Sequence, residues 1–262
     1  MHLLATCDIA MHLEVETPLL LMLRPRGDTG QRIISESCNF SHEVPVLEYT
    51  DIFGNLCQRL VAPAVEFEIH AEVTAEVAPG SLTAPGAHYV LVQNLPLDAL
   101  TYLVPSRYCE SDRFGNLTRD LIGNTLSGYD QVAQITDWVK SNVRYCPGSG
   151  DGQLGAEEVR QQGYGVCRDL AHLCIAMCRS VSIPARIAVG YLSRLEPMDL
   201  HAWFEAYVGG RWYTFDPTQS SLDNPRLVIA AGRDAADVAI YHQFGPLPIT
   251  SSAVVSVEAR PQ

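Results

Sequence analysis

His201-Ala-Trp-Phe-Glu-Ala-Tyr-Val208, Gly209-Gly210, Arg211-Trp-Tyr-Thr-Phe-Asp216 is the stretch whose reading decides the fold. Two alternating segments flank two glycines, the connection a tight hairpin needs because both central residues take positive φ. Pairing Val208 with Arg211 sets Trp203 opposite Asp216 and His201 opposite Thr218. Alternation then gathers His201, Trp203, Glu205 and Tyr207 with Trp212, Thr214, Asp216 and Thr218 on one face. His201 and Asp216 become diagonal neighbours with Cβ atoms about 7 Å apart or less, within hydrogen-bond reach for an imidazole and a carboxylate. The other face, Ala202, Phe204, Ala206, Val208, Tyr213 and Phe215, is nearly all apolar and is the expected core side. A slip of one residue would break both patterns at once.

Upstream, Arg186 to Leu192 reads as a further strand. Before it runs an apolar stretch, Leu170 to Val181, closed by Pro184, whose length and lack of β-branched alternation predict a buried helix opening near Cys167. A short helix is expected over Ala156 to Gln162, stopped by Gly163, and another carries Val132, Ile135, Trp138 and Val139 on one face behind a cap at Asp130. A cysteine in the first turn of a helix, after the Gly-rich Gly163-Tyr-Gly-Val-Cys167, meets unpaired backbone N–H groups and a positive dipole end, both of which favour a thiolate. With a base and an orienting acid following in the hairpin, Cys167, His201 and Asp216 have the logic of a nucleophile, proton carrier and orienting carboxylate. The Cys167 N–H is the natural first oxyanion donor, with Tyr145, Gln162 or Trp203 as side-chain seconds and Tyr164 at the cleft.

The first hundred residues read as β structure. Ala64 to Ala78 sets Val65, Phe67, Ile69, Ala71, Val73, Ala75 and Val77 against Glu66, Glu68, His70, Glu72, Thr74 and Glu76, a long strand with a wet acidic face. Ile9, Met11, Leu13 and Val15 repeat the period, and an antiparallel sandwich or small barrel fits best. Asp-x-Phe-Gly-Asn-Leu occurs at Asp51 to Leu56 and Asp112 to Leu117, which predicts two similar hairpin turns. Prolines at 79, 85, 96 and 105 mark a linker between Ser81 and Asp112. The expected division is a β domain over 1–110 and a catalytic domain over 111–262.

These blocks resemble the transglutaminase-like superfamily, the papain-related group in which Cys, His and Asp follow in that order on a helix and two strands. The resemblance rests on Gly163 to His172, Ile183-Pro-Ala-Arg-Ile-Ala-Val-Gly-Tyr191, His201 to Glu205 and Trp212-Tyr-Thr-Phe-Asp-Pro217. Arg24-Pro-Arg-Gly27, Asp51-Ile-Phe-Gly-Asn55 and Gly232 to Val238 are similar to blocks of its bacterial members. It implies an α+β fold, with a sandwich-like β domain before a papain-like core, and a triad at Cys167, His201 and Asp216. Its members include cysteine proteases, amide hydrolases, acyl transferases and forms that have lost activity. The expected reaction is hydrolysis of an amide or isopeptide bond through a thioester at Cys167. Transglutaminase-type crosslinking, deamidation and an inactive binding module are the alternatives.

Composition bounds the rest. In 262 residues, thirty acids against eighteen bases give a net charge of -12, which argues against a basic nucleic-acid surface. The N-terminus lacks a signal pattern and Leu19 to Leu23 is far short of the roughly 20 residues that span a bilayer, so a cytoplasmic, membrane-free protein with a peptide or protein substrate is expected. Eight cysteines then read as reduced thiols, mostly buried. Asp169 and His172 read as helix-dipole and packing partners, and Arg233, Asp234 and Asp237 as a structural ion-pair group. Cys167, His172, Cys174 and Cys178 lack metal-knuckle spacing and no loop has a Ca²⁺ cage, so neither metal nor cofactor is expected.

Overall fold

The structure, a computed structural model, describes residues 1–27, 30–125, 127–149 and 152–260. Its first part is built of β1 (His2–His12), β2 (Thr17–Leu21), β3 (Arg32–Phe40), β4 (Leu47–Thr50), β5 (Leu56–Ala62) and β6 (Glu66–Glu76). β1 and β6 pair antiparallel with Ile9 opposite Ile69 and Met11 opposite Phe67. Their alternating apolar residues are buried against Leu19, Leu21, Leu60 and Ala62 of the second sheet, forming the sandwich core. The acidic face stays outside, where His12–Glu66 and His70–Asp8 pairs are too exposed to add much stability.

The second part carries α1 (Gly115–Ile122), α2 (Gly128–Asn142), β7 (Arg144–Tyr145), α3 (Ala156–Gln162), β8 (Tyr164–Gly165), α4 (Cys167–Ser180), β9 (Ala185–Leu192), β10 (His201–Val208), β11 (Arg211–Phe215) and β12 (Arg226–Gly232). The sheet order is β11-β10-β9-β12. The hairpin has the expected register, Val208 with Arg211 through Phe204 with Phe215, and Gly209 and Gly210 sit at φ 58 and 89°. α4 lies on the apolar side of this sheet, its Leu170 to Cys178 run wholly buried.

The last strands, β13 (Tyr241–Gln243) and β14 (Thr250–Arg260), correct the division at 111–262. β14 pairs along all of β1, and β13 pairs with β2, so the sheets run β14-β1-β6-β3 and β13-β2-β5-β4. Both strands cover edges of the N-terminal sheets that would otherwise carry unpaired N–H and C=O groups. The β domain is therefore discontinuous in sequence. Through the linker run three 3₁₀ turns, Val92–Asn94, Leu97–Tyr102 and Ser111–Arg113.

Two further expectations change. Asp51 to Leu56 is a hairpin turn, with Asp51 Oδ1 accepting from the Phe53 and Asn55 amides and Gly54 at φ 81°. Asp112 to Leu117 instead leaves a 3₁₀ turn and opens α1, because Leu117, Leu121 and Ile122 follow at helical spacing and pack on the core. The α2 cap is Ser127, whose hydroxyl accepts from the Asp130 amide, while Asp130 itself accepts from Gly86 N–H.

The two parts are joined at the outer edge of β12. Asn55 Oδ1 accepts from Ala231 N–H at 2.9 Å and its Nδ2 donates to Ala231 O at 3.0 Å. Gln31 does the same at Val228, at 2.9 and 2.7 Å. Two side-chain amides thus stand in for a neighbouring strand, which gives the Asp51 to Asn55 block its structural purpose.

Candidate active site

Cys167 is the first residue of α4, entered from the extended Val166. Asp169 Oδ2 accepts from Val166 N–H at 3.1 Å, so the acid of the first turn caps the helix that carries the thiol. β7 and β8 pair side by side, with Cys146 N–H donating to Gly165 O at 2.8 Å, and this holds Tyr145 beside the approach to Cys167. Burial pushes the Tyr145 hydroxyl up to about 12, with Cys167 and Asp216 adding to the shift.

His201 opens β10 and is 1% exposed. Its Nε2 lies 2.9 Å from Asp216 Oδ2, with both side chains fully buried. The other nitrogen, Nδ1, is buried without a hydrogen bond of ordinary geometry, and the ring is on the Cys167 side. Burial opposes charge on this ring, but the Asp216 bond and the neighbouring Cys167 outweigh it and hold the imidazolium pKa up at about 9. Burial likewise opposes charge on Asp216, yet His201, Arg226 and Thr218 pull its carboxyl down to about 2.

Asp216 is saturated. Oδ1 accepts from the Thr218 amide at 3.0 Å and hydroxyl at 2.7 Å, and Oδ2 takes Arg226 Nη2 at 3.0 Å besides His201. Sequence reading gave Thr218 a place on this face without a role and missed Arg226. The Asp216-Pro217-Thr218 turn is a local signal for the first. Arg226 arrives from β12, and no spacing announces it.

Cys167 and His201 share a cleft of ≈ 610 Å³ whose floor includes Ile187 and Val189 and whose far wall is Ala235 to Tyr241. Tyr145, Gln162, Tyr164 and Trp203, the expected cleft residues, are not part of its lining. Gln162 is exposed and its amide donates to Tyr164 O, while Tyr164 is 39% exposed. Trp203 is buried behind the ring, stacked on His201 at 6.2 Å, and lines a separate cavity of ≈ 280 Å³ with Arg226. Gln162 and Tyr164 therefore shape the turn and Trp203 backs the imidazole, while Tyr145 lies close enough to Cys167 for the thiol to act on its hydroxyl.

His172 sits one turn beyond the thiol but faces away: its Nε2 accepts from Ala235 N–H at 3.1 Å and its ring stacks on Tyr108. Burial lowers it to about 3, so it is neutral and pins the cleft wall. Asp234 accepts from Tyr108 and Ala236 N–H, and Arg233 pairs with Asp237, shaping the same wall. Cys174 and Cys178 are in the core, and no cluster of three metal-ligating side chains forms among the described residues.

A model described as the transglutaminase-like superfamily matches residues 115–217, and the bacterial transglutaminase-like N-terminal region matches 15–78. A crystal structure called a putative cysteine protease, from Cytophaga hutchinsonii, is 32% identical, covers 100% of this chain and 92% of its own, and superposes with a TM-score of 0.89. The chain belongs to the transglutaminase-like superfamily. An uncharacterized Mycobacterium leprae protein is 25% identical over 230 residues, 83% of this chain and 82% of that one. The transglutaminase-like core model spans Cys167, His201 and Asp216 together. Family and cleft describe a cysteine-dependent enzyme.

Proposed function

We propose that the protein hydrolyses an amide or isopeptide bond through a thioester at Cys167. One observation carries this reading: a fully buried His201–Asp216 pair whose His201 shares a cleft with a thiol at a helix N-terminus. A thiolate beside an imidazolium and a helix dipole is the activated form of cysteine. Cys167 Sγ attacks the carbonyl carbon, and the developing oxyanion is met by N–H groups of the first turn of α4, which have no partner inside the helix. His201 Nδ1 gives its proton to the leaving amine as the C–N bond breaks. It then takes a proton from the water that attacks the thioester, so that the acid leaves and the Cys167 thiolate is restored beside the imidazolium. Asp216 stays ionised and keeps Nε2 engaged, so Nδ1 is the atom that exchanges protons.

The test incubates the protein with peptide and glutaminyl substrates, with and without a primary amine. Free acid as the main product supports the reading. Amine incorporation outrunning hydrolysis would reverse it in favour of crosslinking, and ammonia release confined to glutaminyl side chains would make the activity deamidation.

A further inference from the structure

The far wall of the cleft leads directly into the N-terminal sheets. Ala235 and Val238 to Ile240 line the cavity that holds Cys167 and His201, and the next residue, Tyr241, both lines it and begins β13. β13 is the outer strand of its sheet, with β2 on one side and no strand on the other among the described residues. Its hydrogen-bond phase can be counted. Met22 N–H donates to Ile240 O at 2.9 Å, and Phe244 N–H donates to Pro18 O at 3.0 Å. Between these, Tyr241 stands opposite Leu21, His242 opposite Leu20 and Gln243 opposite Leu19. Antiparallel pairs alternate, so Ile240, His242 and Phe244 bond inward to β2, and the N–H and C=O groups of Tyr241 and Gln243 point to the open edge. All three residues of β13 are half-buried, as expected of an edge partly sheltered by a cleft.

We infer that the β domain forms part of the substrate site: an extended peptide adds as an outer strand along Tyr241 and Gln243 and runs from there into the cleft. Main-chain bonds to an open edge hold a peptide irrespective of its sequence, and selectivity comes from the pocket that takes its side chains. Here the cleft is mixed, with Arg168 and Asp199 in its lining beside an apolar group of Val189, Leu200 and Ile240, and it is this apolar group that accommodates a large aliphatic side chain beside Cys167. This rests on the hydrolytic reading of Cys167 and adds to it the class of substrate and a role for the N-terminal region.

The experiment compares Gln243→Pro with the unaltered protein on two probes: a long internally quenched peptide with a central leucine, and the p-nitrophenyl ester of acetyl-leucine, which fits within the cleft that Gln243 does not line. Proline at 243 removes an outward N–H without touching the bonds to β2. The expected result is a fall of about tenfold in kcat/KM for the long peptide, one backbone hydrogen bond's worth, with ester hydrolysis unchanged. As a second measurement on the unaltered protein, replacing single amides of the long peptide by esters should weaken turnover at alternate positions on the side bound to β13. Equal losses on both probes, or no loss on either together with no alternation in the ester-substituted peptides, would overturn the inference. A Cys167→Ala control that hydrolyses the short ester as fast as the unaltered protein would instead refute hydrolysis at Cys167 itself.

Discussion

Replacing Asp216 by Asn should remove a stabilising interaction whose pH dependence follows from the His201 ring. In the folded protein that ring titrates at about 9, against 6.5 for an unperturbed histidine. At roughly 1.4 kcal/mol per pH unit this corresponds to about 3 kcal/mol, an upper limit because Cys167 supplies part of the shift. A group whose folded pKa is raised contributes fully below its unfolded value and loses that contribution as pH climbs through the folded one. The loss therefore falls between about pH 6.5 and 9. Asp216, lowered to about 2 from 3.8, works in the opposite sense: its contribution is present above its unfolded value and is lost as pH drops toward 2. The same contact underlies both shifts and is counted once. The assay is denaturant unfolding of Cys167→Ala and Cys167→Ala/Asp216→Asn, so that the thiol does not titrate. Loss of the Arg226–Asp216 bond adds an offset, so the readout is the change with pH. The stability gap between the two proteins should shrink by about 2 kcal/mol from about pH 6 to about pH 10. A gap that is constant, or that widens, would refute the claim that Asp216 holds a charged His201.

Arg226→Met should leave the Cys167 thiol in place but let Asp216 act on His201 alone, moving the alkaline limb of kcat/KM to higher pH. Arg226→Lys should bring part of the profile back, and unchanged limbs in both would reduce Arg226 to packing. Gly190 pairs with His201, and a Cβ there would collide with Leu227 O, so Gly190→Ala should cost on the order of 1–3 kcal/mol in chemical unfolding and lower activity with it. Asn55→Ala leaves the Ala231 N–H and C=O unpaired in a buried interface, an expected loss of about 1–3 kcal/mol, with faster amide exchange confined to the β12 edge. Exchange spreading evenly through the chain would argue against a local role for that amide.

The hairpin register was readable because Gly209-Gly210 fixes the turn and one slip would expose a whole core face. α3 and the opening of α4 were readable for a similar local reason: Gly163 at φ 74° ends one, and the apolar run after Cys167 defines the other. What escaped is long-range. Tyr241–Gln243 and Thr250–Arg260 pair with strands more than two hundred residues away, and nothing in their own alternation names a partner. The second Asp-x-Phe-Gly-Asn-Leu copy shows the limit of turn motifs, since the residues after it, not the motif, decide between hairpin and helix. Arg226 illustrates the same limit in the site: a buried carboxylate needs cations and donors, but which side chain supplies them depends on the packing of β12 beside β9. The side-chain oxyanion donors were the least readable: Gln162 and Trp203 lie near Cys167 or His201 in sequence, yet Gln162 donates its amide to Tyr164 O and Trp203 packs behind the His201 ring, outside the cleft lining.

The most direct test is intact-mass analysis of the protein quenched in acid during turnover of acetyl-leucine p-nitrophenyl ester, followed by peptide mapping. The acyl group should be found on Cys167, accumulate faster than on any other cysteine, and be absent along with turnover in Cys167→Ala. Acylation spread over several cysteines, or turnover that survives Cys167→Ala, would contradict a nucleophilic Cys167.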